Sequence, residues 1–146
     1  MTTGLPRARE ELFAAHLLST TGFAAQSVSH AFRAALCAAE AALLLLDRTP
    51  PAEPAAVVAA FVRHAVRERG LDPEAGRLLR SLLNRGLQAS ADGDVPPSEA
   101  SAAITDATAL VDTVAAWIDG SNRVAVERSG GAGTARPGGR QPRRKR

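Results

Sequence analysis

The sequence predicts an all-α protein: an antiparallel up-and-down bundle of four to five helices, followed by a disordered basic C-terminal tail. Three observations point there. Alanine and leucine dominate the 146 residues, tyrosine is absent, and no segment alternates apolar and polar residues with period two, a pattern that favours helix over sheet. Apolar positions recur at helical spacing in segments separated by Gly and Pro breaks. Beyond about Val126 the chain holds mainly Gly, Pro, Ser and Arg, a composition that buries too little apolar surface to order itself. The expected division is a bundle over residues 1–121 and a tail over residues 122–146. A body of roughly 120 residues suffices for one hydrophobic core.

The first helix is expected from about Pro6 to Thr20. Pro6 suits a first turn, where its missing N–H goes unused, and Glu10 and Glu11 favour the positive end of the helix dipole. Leu12, Phe13, Leu17 and Leu18 supply its apolar face, and Gly22 ends it in a left-handed conformation. The second helix, Ala24 to Asp47, reads AAQSVSHAFRAALCAAEAALLLLD. It lacks Gly and Pro and is apolar nearly all round, the pattern of a central bundle helix. Pro50, Pro51 and Pro54 prevent its continuation.

The third helix, Pro54 to Arg69, carries Val57, Val58, Phe61, Val62, Ala65 and Val66, and Gly70 closes it. Asp72-Pro73-Glu74 is a helix start: Asp caps, Pro fills the first turn and Glu favours the dipole. The fourth helix runs from there through Leu78, Leu79, Leu82, Leu83 and Leu87 to about Ala89, with Gly86 weakening its last turn. SADGDVPP (residues 90–97) reads as a loop, and Ser98 as the cap of a fifth helix. That helix has an inward seam of Ile104, Ala107, Val111, Val114 and Ile118, with Trp117 beside it and Gly120 at its end.

The formal net charge of +3 conceals a division. Residues 1–128 hold 12 bases against 15 acids, and residues 129–146 hold six bases and no acid. The body is mildly acidic and the basic character belongs to the tail, so a high isoelectric point does not make the domain a nucleic-acid binder. The single cysteine, Cys37, excludes an internal disulfide and reads as a small buried hydrophobe. The N-terminal MTTGLPRAREELF lacks the apolar stretch of a secretory signal, and no apolar run approaches the roughly 18 residues of a membrane span. A cytoplasmic protein with no membrane association is expected. His16, His30 and His64 show no metal-ligand spacing. No Gly-rich phosphate loop or Ser/His/Asp set occurs. No cofactor is expected.

The succession of segments resembles the HEPN domains (higher eukaryotes and prokaryotes nucleotide-binding) of bacterial toxin–antitoxin pairs. The resemblance covers about Pro6 to Asp119. RAREELFAAHLLSTTGFAAQSVSHAFRAALCAAEAALLL is similar to the family opening, with Ser29, Ala31, Phe32 and Ala34 where the family usually has Ser, Ala, Tyr and Ala. AFVRHAVRERGLDPEAGRLLRSLLNRG is similar to its third-helix end and fourth helix, including the Asp-Pro-Glu and the leucine pair after Gly-Arg. Active members of such families are metal-independent ribonucleases that use Arg-x(4–6)-His across a dimer. Arg holds the scissile phosphate and His moves protons near neutral pH.

Arg85 stands where that Arg is expected. None of Ala89, Ser90, Ala91 or Asp92 is a histidine. The Arg and Ala-Asp-Tyr arrangement of this branch survives only as Ala91-Asp92 in a shifted register. The missing Tyr also removes the acceptor that some nucleotidyltransferase antitoxins modify. The resemblance therefore implies a degenerate, non-catalytic homodimer that pairs through its second- and fourth-helix faces. It would serve as an interaction or regulatory module in a toxin–antitoxin-type or RNA-associated system, with a nucleotidyltransferase-type partner. The alternative is a metal-independent endoribonuclease toxin with Arg85 in the active site and His30 or His64 supplied across the dimer.

Three further readings concern charge. Arg77, Arg80 and Arg85 form either a solvated face or an RNA contact. A buried Arg85 needs an acidic partner, with Asp92 and Asp94 the local candidates. Arg143, Arg144, Lys145 and Arg146 are candidate nucleic-acid contacts that attract phosphate without reading sequence.

Overall fold

A computed structural model describes the backbone of residues 4–134 and the side chains of residues 4–91 and 93–122. Among the described residues it is all helix, arranged as a helical bundle: α1 (Leu5–Thr20), α2 (Ala24–Leu45), α3 (Pro54–Phe61) with a π-helical continuation (Val62–Arg67), α4 (Pro73–Asp92) and α5 (Pro97–Thr134). The chain divides into two units, Met1–Ala115 and Ala116–Arg146.

Within the first unit α2 is the central element, with Ala31, Ala34, Ala35, Ala38, Ala39 and Ala42 all fully buried. Fourteen of the 27 buried apolar residues among the described residues are alanine, a composition that permits close helix approach. α1 runs antiparallel to α2. Gly4 at its start lies against Ala41 near the end of α2, and near its other end Ser27 Oγ donates to the Ala15 carbonyl at 2.8 Å. α5 is joined to α1 by Arg9–Asp112, 2.8 Å apart and exposed on both sides, a pair that contributes little by itself.

The helix ends follow local chemistry. Gly22 and Gly70 take the positive φ expected of them, and Asp72 Oδ1 accepts from Glu74 N at 3.0 Å. α2 ends before its prolines. Asp47 adopts φ 59° and Arg48 N returns to the Leu43 carbonyl at 2.9 Å, so an aspartate that tolerates the left-handed region closes the helix.

The third helix widens after Phe61. Glu68 N bonds to the Arg63 carbonyl, five residues back, at 3.2 Å, and Leu71 N reaches Ala65 O at 3.0 Å. This π-helical stretch buries Ala65 fully and leaves Val62 and Val66 half-buried. Val62 faces Gly76 of α4, where an added Cβ would stand 3.2 Å from Val62 Cγ2.

Several expectations are corrected. The buried face of α1 is Ala8, Glu11, Leu12 and Ala15, while Phe13 is 67% and Leu17 51% exposed. Of the expected face only Leu12 points inward, and the small Ala8 and Ala15 complete the contact. Glu10 and Glu11 lie beyond the first turn, so they do not serve the dipole. α4 continues past Ala89 to Asp92 and is closed by Gly93 at φ 71°.

Gly86 is a contact point, not a weak point. An added Cβ there would lie 3.2 Å from Cβ, Cγ and Cδ2 of Phe32, so its bareness lets α4 close on α2. Leu87, expected inside, is 62% exposed. α5 begins at Pro97, with Glu99 N and Ala100 N bonded to the Pro96 carbonyl, so Ser98 is not its cap.

The inward seam of α5 holds for Ile104, Ala107, Val111 and Val114, with Ala100, Ala103 and Leu110 added. In the second unit α5 passes through Gly120 and continues to Thr134. A glycine stop requires the left-handed conformation, which Gly120 does not take. Trp117 and Ile118 are half-buried. Arg136 to Arg146, including the candidate contacts Arg143, Arg144, Lys145 and Arg146, lie outside the described residues.

α2, 22 residues long, is long and apolar enough by length and composition to cross a membrane, contrary to the expectation that no segment is. In the fold it packs between α1, α3 and α4 and carries Arg33 and Glu40.

Candidate functional site

Arg85 projects from α4 toward the start of α5. Its Nη2 lies 2.8 Å from Asp106 Oδ2 and its Nε 3.4 Å from Glu99 Oε2. Glu99 and Asp106 are seven residues apart on α5, two helical turns, so both carboxylates face α4. Of the partners expected from the sequence, Asp94 makes no ion pair with Arg85, and the side chain of Asp92 lies outside the described residues. The left-handed Gly93 turns the chain between them, and α5 brings its own acids back instead. Arg85 Nη1 is buried without a hydrogen-bond partner among the described residues.

The guanidinium lines a cleft of about 310 Å³ together with Val28, Gln88, Asp94, Val95 and Glu99. One cation faces two paired carboxylates there and Asp94 stands on the rim, so the site lacks the positive field that holds a phosphate.

The histidines belong to other networks. His30 Nδ1 lies 2.6 Å from Glu11 Oε1, and Arg7 Nε donates to Glu11 Oε2 at 3.1 Å. Glu11 is the hub of this group, its side chain only 7% exposed, and it ties α1 to α2. Its role was not drawn from the sequence. It becomes legible once the α1 face is set by Ala8 and Ala15, because Glu11 falls between them at steps of three and four.

His64 sits in the π-helical stretch with Nδ1 2.9 Å from Glu68 Oε1. That hydrogen bond, with the nearby charge of His64 and of Arg48 and Arg63, holds the Glu68 carboxyl below its ordinary range. His16 is exposed. Among the described residues no imidazole bonds to Arg85, so the structure does not bring Arg85, His30 and His64 together within one chain. Arg77 pairs with Glu74 at 2.8 Å, Arg80 is exposed and Arg85 turns inward. The three therefore form no single stripe. Among the described residues no cluster of three or more His, Cys, Asp or Glu could hold a metal ion.

The remaining polar side chains of interest lie on α2. Its outward ridge carries Arg33, Leu36, Cys37, Glu40 and Leu44. On one side a groove of about 380 Å³ is shared with Gly4 and Arg7 of α1. On the other a groove of about 270 Å³ is lined by Ser29, Phe32, Pro54, Gly86 and Leu87. Burial, reinforced by the charges of Glu40 and Glu11, pushes the Cys37 thiol up to about 11. It is therefore a thiol and not a nucleophilic thiolate at neutral pH. Burial likewise raises the Glu40 carboxyl above its ordinary value. No family model matches this chain, and no curated protein or solved structure matches it either.

Proposed function

We propose that this protein is a non-catalytic, HEPN-like up-and-down bundle that works as a homodimeric interaction or regulatory module in a toxin–antitoxin-type or RNA-associated system. Its proposed partner is of the nucleotidyltransferase type. The observation that carries the non-catalytic part of this reading is the pairing of Arg85 with Asp106 and Glu99. A phosphate-binding arginine needs a guanidinium free to accept the developing charge of the transferred group. Here that charge is already neutralised, and the two histidines that would move protons are engaged by Glu11 and Glu68. A bundle with this pattern retains surfaces for partners and lacks the assembled pair for cleavage.

The test is incubation of the purified full-length chain with RNA in the presence of a chelator, beside an Arg85→Ala variant. No cleavage above background is expected from either protein. Cleavage by the unaltered chain that disappears in the variant would overturn the reading in favour of an endoribonuclease centred on Arg85.

A further inference from the structure

Phe61 and Glu68 are seven residues apart, which makes about two turns of an α-helix. An α-helix continued past Phe61 would therefore carry Glu68 onto the face that buries Val57, Val58, Phe61 and Ala65, all apolar and at most 3% exposed. A carboxylate turned into such a face without a partner is very costly. The chain takes another course. Each π turn takes in one residue more than an α turn. Over Val62–Arg67 this rotates Glu68 outward, leaving its side chain 48% exposed, while Ala65 stays fully buried.

Outside, Glu68 meets cations. Its Oε1 lies 2.9 Å from His64 Nδ1, four residues back, and its Oε2 lies 3.7 Å from Arg63 Nε, five residues back. The second spacing belongs to the π register. In an α-helix, residues five apart point about 140° away from each other, and side-chain neighbours are three or four apart. The Arg63–Glu68 ion pair thus closes the same turn as the backbone bond from Glu68 N to the Arg63 carbonyl. Exposed pairs of this kind contribute little, whereas an unpaired buried charge costs far more. Keeping the carboxylate out of the interior is the larger effect, and the pairs add to it.

We propose that the charge of Glu68 selects the π register, and that Val62–Arg67 is a two-register element which returns to α-helix when position 68 carries no charge. The choice of register reaches α4, because Val62 and Val66 both lie against Gly76, their Cγ2 atoms 3.2 and 3.8 Å from where a Cβ would stand. Neither register depends on the function proposed above.

Scalar couplings across backbone hydrogen bonds, measured by NMR on the full-length chain, name the carbonyl to which the residue-68 N–H is bonded. The unaltered protein, Glu68→Ala and Glu68→Lys are compared, and circular dichroism confirms that each keeps its helix content. In the unaltered chain the coupling runs to the Arg63 carbonyl. In Glu68→Ala it moves by one residue, to the His64 carbonyl, because alanine meets no penalty on the buried face. In Glu68→Lys it stays at Arg63, because a lysine ammonium is excluded from that face as a carboxylate is.

A coupling to Arg63 that survives in Glu68→Ala overturns the proposal, since the register is then set elsewhere. A shift to His64 in Glu68→Lys overturns it as well, since pairing with His64 and Arg63, and not the charge itself, would then hold the turn. An unaltered chain whose residue-68 N–H couples to any carbonyl but that of Arg63, or to none, also overturns it.

Discussion

Glu11 holds His30 across the packing of α1 on α2, with 2.6 Å between Oε1 and Nδ1, while its other oxygen accepts from Arg7 at 3.1 Å. A buried carboxylate with both oxygens engaged is, beside the Ser27–Ala15 hydrogen bond, a polar tie in an interface rich in alanine. Glu11→Ala strands His30 and Arg7 without an acceptor. It is expected to lower unfolding free energy by roughly 1–3 kcal/mol, the range for hydrogen bonds to charged groups. Urea denaturation at neutral pH checks it. An effect below the error of the extrapolation would show the tie to be slack.

Gly86→Ala tests the approach of α4 to α2. On helix propensity alone the change stabilises by about 1 kcal/mol. The added Cβ, however, stands 3.2 Å from three Phe32 atoms, including the Cβ next to the backbone, which a ring flip does not move. Overpacking of this kind costs roughly 1–3 kcal/mol, so a lowered melting temperature is expected. Adding Phe32→Ala removes the Cγ and Cδ2 contacts but keeps Cβ, so it should lessen the loss at position 86, which a double-mutant cycle reads directly.

Arg85 is expected to act on stability and not on chemistry. Arg85→Ala leaves Asp106 and Glu99 facing α4 without their cation and should destabilise the fold by roughly 1–3 kcal/mol. Asp106→Ala should cost a comparable amount, and the pair should be non-additive in a double-mutant cycle. Additive losses would mean that the 2.8 Å contact is not energetically coupled.

Cys37 titrates at about 11 in the folded chain against an ordinary 9.0. The alkylation rate by iodoacetamide should therefore rise with a midpoint near 11, and at pH 8 run about 100-fold below that of an unperturbed thiol of the same intrinsic reactivity. The linked stability has a definite sign. The unfolded chain loses the proton first, so stability is unaffected below about pH 9 and falls between 9 and 11. Cys37→Ser should remove that part of the alkaline decline, as thermal melts across this window would show.

The helices themselves were legible because their signals are local. Asp72-Pro73-Glu74 starts α4, Gly22 and Gly70 end their helices, and the 104–107–111–114 steps point one face of α5 inward. The phase of α1 was not, because size misled: Phe13 and Leu17 outweigh Ala8 and Ala15 in hydrophobicity, yet Ala8, Leu12 and Ala15 form the buried face. The π-helical stretch was not legible either: its Glu68–Arg63 backbone bond shows only in the folded chain, where Val62 lies against Gly76. In the candidate site, Arg85 and its need for an acid were foreseeable from charge and burial. Which acid was not, because Glu99 and Asp106 become its neighbours only when α5 folds back on α4.

Alanine-rich helical segments, glycine and proline breaks and one central apolar helix determined from the sequence alone that this chain folds as helix. Propensity, capping and periodicity act over a few residues, and these are written in order along the chain. The pairing of Arg85 with Asp106, of Glu11 with His30, and the bareness of Gly86 against Phe32 were decided only by tertiary structure. Each depends on the distance and rotation between helices far apart in sequence, which are set when all the faces are packed at once.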